Sequence, residues 1–219
     1  MADNWWDAVE EEVEEQQKFE AFRDYIVFLI DASSSMFQRS DKEAKTSFDT
    51  ALACALAVSR NKIISSGNDQ IGVVFFGTRE KKNALAFEHV YVHQELDLPD
   101  AQSIKDLELL LSEQNVSQLF EDTIGSSSKD RTKAIEQGLR TASNMLQKGA
   151  KKGVSKRVWI FTDDDDPCSG TDDQRIAVRA QAMAEQDQEL EILGMSSGSD
   201  PFDMSKFYER VMRAAEGEG

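Results

Sequence analysis

Short apolar runs punctuate this chain, and most are followed by stretches in which apolar residues recur every three or four positions. Tyr25–Ile30 (Tyr-Ile-Val-Phe-Leu-Ile) is a continuous run rich in β-branched and aromatic residues. Such a run predicts a strand buried on both faces, as in a parallel sheet. Ile71–Phe76, closed by Gly77, reads the same way, as do Val158–Thr162 and Leu190–Gly194. Val90–Glu95 alternates instead and predicts an antiparallel edge strand beside Ile71–Phe76. Between these runs the period changes. Phe48, Leu52, Ala55, Leu56, Ser59 and Ile63 fall on one helical face, which stops near Ser65-Ser66-Gly67. Ala101–Glu113 predicts a helix with a leucine-rich face. Lys133–Gln147 predicts another, with Ile135, Leu139, Ala142 and Leu146 inward. Lys148–Arg157 reads as a basic connector. Asp173–Asp187 is expected to be helical through Ile176, Ala180 and Met183, and Phe202–Ala215 through Phe207, Val211 and Ala214. Strands alternating with helices predict an α/β domain of three layers. Its mostly parallel sheet has one antiparallel edge strand, helices on both faces and right-handed crossovers.

Composition narrows the function. Residues 1–20 hold eight acidic residues and one lysine, Lys18, and are expected to be a disordered acidic tail; Trp5 and Trp6 make an interaction arm the competing reading. The folded domain is expected over 21–215, with 216–219 as a tail. The formal net charge of -16 argues against this chain gripping DNA by itself, because phosphate contacts need Lys and Arg. No apolar stretch has the length of a membrane span, and the acidic N-terminus is unlike a secretory or mitochondrial leader. Two cysteines with no Cys-x-x-Cys pair, Cys54 expected in the core and Cys168 in an exposed polar loop, fit a reducing compartment such as nucleus or cytosol.

The chemistry collects at two predicted strand ends, where open α/β sheets bind ligands. The first strand runs into Asp31-Ala32-Ser33-Ser34-Ser35, and a later one into Thr162-Asp163-Asp164-Asp165-Asp166-Pro167. Asp-x-Ser-x-Ser after a buried strand resembles the metal-ion-dependent adhesion site of von Willebrand A domains. One carboxylate and two hydroxyls suit a hard cation such as magnesium, which takes oxygen ligands in octahedral geometry. The resemblance makes Asp31, Ser33, Ser35 and Asp163 candidate ligands of magnesium, a candidate cofactor that the domain need not require. The third loop departs from the family's Gly-x-Thr: here it reads Ser126-Ser127-Ser128-Lys129-Asp130-Arg131-Thr132, with Ser128 or Thr132 as substitutes and Lys129 or Arg131 placed to repel a cation. The competing reading makes Asp31 and the serines caps of the turn. The four-aspartate run reads equally as a solvated loop, a metal loop, or a lead-in to a helix capped by Asp172 or Asp173.

Several further stretches carry a closer resemblance. They are Ile26–Ser33, Lys62-Ile63-Ile64-Ser65-Ser66, Val73–Thr78, Lys82-Asn83, Val90–Asp97, Phe161-Thr162-Asp163 and Phe202–Tyr208. Together they resemble the N-terminal, von Willebrand A-like domain of the Ku family, in particular of its smaller, seventy-kilodalton subunit. The resemblance implies a heterodimer with the larger Ku subunit that threads onto double-stranded DNA ends, acts in non-homologous end joining and at telomeres, and works in the nucleus. It implies that the DNA grip lies elsewhere and that this domain docks end-joining and telomere proteins, with no membrane role. Arg175 and Arg179, four apart on a predicted helix, are the candidate docking residues. A metal-dependent adhesion-type domain is the alternative function. An enzyme finds little support: the chain has no Gly-x-x-x-x-Gly-Lys-Ser/Thr. His89 and His93, expected on one face of the edge strand, read as surface or packing residues rather than a catalytic pair.

Overall fold

The computed structural model describes residues 23–39, 45–65, 68–112, 116–127, 129–148, 153–169, 174–196 and 201–217. The acidic leader with Trp5, Trp6 and Lys18, and also Ser128, Asp172 and Asp173, lie outside the described residues. Five strands form one sheet: β1 (Arg23–Asp31), β2 (Gln70–Phe76), β3 (Val90–Asp97), β4 (Val154–Thr162) and β5 (Gln188–Gly194), in the order β3-β2-β1-β4-β5. Only β3 runs antiparallel to its neighbour, so the alternating segment is the antiparallel edge strand, as expected.

The helices are α1 (Ser47–Ser65), α2 (Ala101–Ser112), α3 (Val116–Thr123), α4 (Arg131–Lys148), α5 (Arg175–Ala184) and α6 (Tyr208–Ala215). They divide between the faces. Ile26, Phe28 and Ile30 of β1 point into a core with Phe48, Leu52 and Ala55 of α1, Leu107 of α2 and Phe120 of α3. Tyr25, Val27 and Leu29 point the other way, against Ile135 and Leu139 of α4, Ile176 and Ala180 of α5 and Tyr208 of α6. That is why Tyr25–Ile30 shows no alternation: both faces of β1 are covered, and each fully buried large side chain contributes about 1.5–3 kcal/mol. α1 is also stopped from fraying at its start. Thr46 Oγ1 accepts the Asp49 N–H at 3.0 Å and Asp49 Oδ2 accepts the Thr46 N–H at 3.1 Å, a reciprocal capping box.

Three expectations need correcting. The basic connector is shorter than Lys148–Arg157, because β4 starts at Val154 and pairs residue by residue with β1 from Arg23. The C-terminal helix does not run from Phe202: a 3-10 turn over Met204–Lys206 precedes it, and Phe207, at φ -146° and ψ -52°, separates the two. Phe207 and Val211 are buried as expected, joined by Tyr208, whereas Ala214 is only half-buried. α3 was not visible as a separate element. Among the described residues no helix is long and apolar enough to cross a membrane.

Candidate functional site

β1 lies at the centre of the sheet; the chain leaves it toward β2 and β3 on one side and returns as β4 on the other. Its carboxyl end, beside that of β4, is the switch point where open α/β folds form crevices. The structure brings Asp31, Ser33, Ser35 and Asp163 together there. Asp31 is buried, its Oδ1 accepting the Ser33 N–H at 2.8 Å and its Oδ2 the Thr162 hydroxyl at 2.7 Å. The Ser33 and Ser35 hydroxyls lie 3.1 Å apart, and Ser35 donates to Asp163 Oδ1 at 2.8 Å. Gly77, at φ +74°, ends β2 against this cluster; a Cβ there would sit 3.5 Å from Asp31 Oδ1 in a backbone conformation that side chains disfavour.

The decisive neighbour is Arg131, the first residue of α4. Its Nη2 lies 3.5 Å from Asp31 Oδ2 and donates to Ser33 Oγ at 3.3 Å, while its Nε pairs with Asp164 Oδ2 at 2.8 Å. The sequence placed a repelling cation near this loop; the structure puts it on the candidate ligands themselves. Burial pushes the Asp31 carboxyl above its usual range, with Arg131, the Ser33 N–H and Thr162 pulling it back. Asp164 is raised for the same first reason and restrained by Arg131. Tyr208 closes the floor: its hydroxyl lies beside Thr162 without meeting hydrogen-bond geometry. Burial and the Asp31 and Asp164 carboxylates raise its ionisation well above the ordinary phenol value.

These residues do not fit a bound magnesium ion. A divalent ion about 4 Å from a guanidinium is repelled by about 8 kcal/mol at an effective dielectric of about 20. Of the two third-loop substitutes, Thr132 is turned away, donating to the Pro167 carbonyl at 2.9 Å; Ser128 lies outside the described residues. Among the described residues no three His, Cys, Asp or Glu side chains converge as a metal-holding group. The aspartate run is not a freely solvated loop. Asp164 is held by Arg131, and Asp165 by Lys206 at 2.7 Å. Cys168, expected to be exposed, is buried in the core and lies 3.8 Å from the Thr132 hydroxyl. The histidines do not act as a pair. His89 precedes β3 with φ 60° and its Nδ1 meets the Thr78 carbonyl at 2.9 Å, whereas His93 packs 5.5 Å from the Phe75 ring.

A second feature lies on the α4–α5 surface. Arg175 and Arg179 do line one groove, with Phe87, Lys133, Glu136, Arg140 and the 60% exposed Val178. Its lining thus carries Lys133, Arg140, Arg175 and Arg179, with Glu136 paired to Arg140. Arg179 is less outward than its spacing suggested: its Nε is buried without a hydrogen-bond partner among the described residues. Burial first, then Arg140, lowers its pKa.

The sequence matches the Ku70/Ku80 N-terminal alpha/beta domain over residues 25–218. The chain belongs to that family. Relatives include mouse "X-ray repair cross-complementing protein 6", 35% identical over 90% of this chain and 32% of its own length. The rice "ATP-dependent DNA helicase 2 subunit KU70" is 33% identical over 92% of this chain and 34% of its own. For the Dictyostelium discoideum "ATP-dependent DNA helicase ku70" the figures are 33%, 90% and 23%. The chain thus spans about a third or less of these relatives. The Ku resemblance and the α/β fold drawn from the sequence both hold, and in this chain the switch-point crevice holds the Arg131 guanidinium.

Proposed function

We propose that this domain is a non-catalytic docking module at the periphery of a Ku-type heterodimer, and that it belongs to the smaller subunit. In this reading it pairs through the rest of the chain with the larger Ku subunit. The full heterodimer, rather than this domain, holds double-stranded DNA ends in the nucleus, during non-homologous end joining and at telomeres. The relatives named KU70 support the subunit assignment, and the repair function in the mouse protein's name supports the process. The domain's own charge of -16 supports leaving the DNA grip elsewhere.

The observation that carries the docking role is the α4–α5 groove. Lys133, Arg140, Arg175 and Arg179 line it together with Glu136 and the exposed Val178. On so acidic a chain this local reversal of sign suits an acidic partner segment with an apolar anchor over Val178. The test is charge reversal, R175E/R179E, in the full heterodimer. End joining should fall roughly tenfold, as when an interface contact is lost, with DNA-end affinity unchanged. Normal end joining by that variant would remove the proposal.

A further inference from the structure

The switch-point crevice holds together by a set of bonds that run in one direction. Ser35 has one hydroxyl proton, and it goes to Asp163 Oδ1. The hydrogen bond between the two serines must therefore be donated by Ser33. Ser33 Oγ in turn accepts from Arg131 Nη2. Protons are thus ordered from a guanidinium, through two hydroxyls, to a carboxylate, and each serine oxygen already accepts one N–H or O–H donor. Arg131 also pairs with Asp164, so one side chain from α4 ties the loop after β1 to the loop after β4. Holding separate loops on one positive centre is what a metal ion does in an oxygen-lined site.

We propose that the Arg131 guanidinium is a resident cation, standing in for the divalent ion of adhesion-type sites and keeping such an ion out. The ligand set is otherwise nearly complete: Asp31, Ser33 and Ser35 are in place, and Asp163 Oδ2 is buried with no hydrogen-bond partner among the described residues. Removal of Arg131 creates a divalent-cation site from residues already positioned, while the native domain does its work without one. The inference is independent of the groove, since none of these residues lines it.

The test uses manganese chloride and magnesium chloride with three proteins: the native chain, Arg131→Ser, and Arg131→Lys, which keeps a positive charge at the same place. The native chain and the lysine variant should give flat calorimetric titrations and melting temperatures that are the same with ion or EDTA. Arg131→Ser should bind manganese saturably, and at a hundredfold excess over its dissociation constant its melting temperature should rise by about 5 °C or more. Saturable binding by the native chain that disappears in Asp31→Ala would overturn the proposal. So would a flat titration for Arg131→Ser, because the crevice would then lack ion affinity whatever stands at 131. Should Arg131→Ser fail to fold in EDTA, its refolding yield with manganese becomes the readout, and no recovery with the ion also overturns it.

Discussion

The Thr162 hydroxyl donates a 2.7 Å hydrogen bond to Asp31 Oδ2, joining the last residues of β4 and β1 beneath the crevice. The bond is buried, and the same hydroxyl accepts the Asp164 N–H at 3.1 Å, so Thr162 sets both the carboxylate and the start of the acidic loop. Thr162→Val keeps the shape and removes the donor. It should lower the unfolding free energy by about 2 kcal/mol, the range for a hydrogen bond to a charged group, read from urea denaturation. A loss below about 0.5 kcal/mol would mean that Asp31 is satisfied without it.

His93 gives a pH signature. Burial first, then Lys82, holds its pKa at about 4 against the usual 6.5, with Asp106 pulling weakly the other way. The unfolded chain therefore binds the proton more tightly than the folded one. Stability is full above about 6.5 and falls as the pH drops toward 4, by about 3 kcal/mol in total for this group. His93→Phe should flatten that slope between pH 6.5 and 4 in denaturation curves measured beside the native chain. Parallel slopes would exclude His93 as the source.

At the opposite end of the sheet Lys62 bridges Asp24 at 2.7 Å and the buried Asp69 at 2.6 Å. Burial works to lower the Lys62 pKa, but its bonds to the two aspartates outweigh that and raise it. Asp69 also accepts the Asp24 N–H at 2.8 Å. Asp69→Ala leaves the Asp24 N–H without its acceptor and Lys62 with Asp24 alone, and should cost about 2 kcal/mol by chemical denaturation. A cost near that of an exposed pair, under about 1 kcal/mol, would contradict this account.

Glycine is required at Gly77, which turns left-handed against Asp31. Gly77→Ala should lose about 1–2 kcal/mol by the same measurement. A neutral result would show that the loop after β2 can rearrange without disturbing the crevice.

Much of this fold could be read in the sequence because its period is physical. β1 is covered on both faces, so Tyr25–Ile30 is uniformly apolar. β3 buries Val90 and Val92 on one face and leaves Tyr91 and His93 half-buried on the other, so Val90–Glu95 alternates. What escaped has physical reasons too. α3 is eight residues long and sends Phe120 into the core, too few turns for a periodic face to emerge. At the C-terminus Phe207 and Val211 are inward as their spacing implies, but the backbone break at Phe207 also buries Tyr208, which helical spacing from Phe202 does not encode. Cys168 sits among polar neighbours in sequence and against Thr132 in space, a contact that spacing does not encode. In the crevice Asp31, Ser33, Ser35 and Asp163 were legible from the loop motif. Arg131 was legible only as a charge nearby; that its guanidinium reaches into the constellation follows from where α4 begins.

The measurement that bears most directly on the docking role is end joining by the full heterodimer carrying Val178→Asp, made beside its affinity for DNA ends. Val178 lines the groove and is 60% exposed, so the substitution should cost the fold only a few tenths of a kcal/mol while placing a carboxylate under any acidic partner. The account predicts end joining reduced about tenfold with DNA-end affinity unchanged. End joining at the native level would contradict it and move the docking surface away from the α4–α5 face.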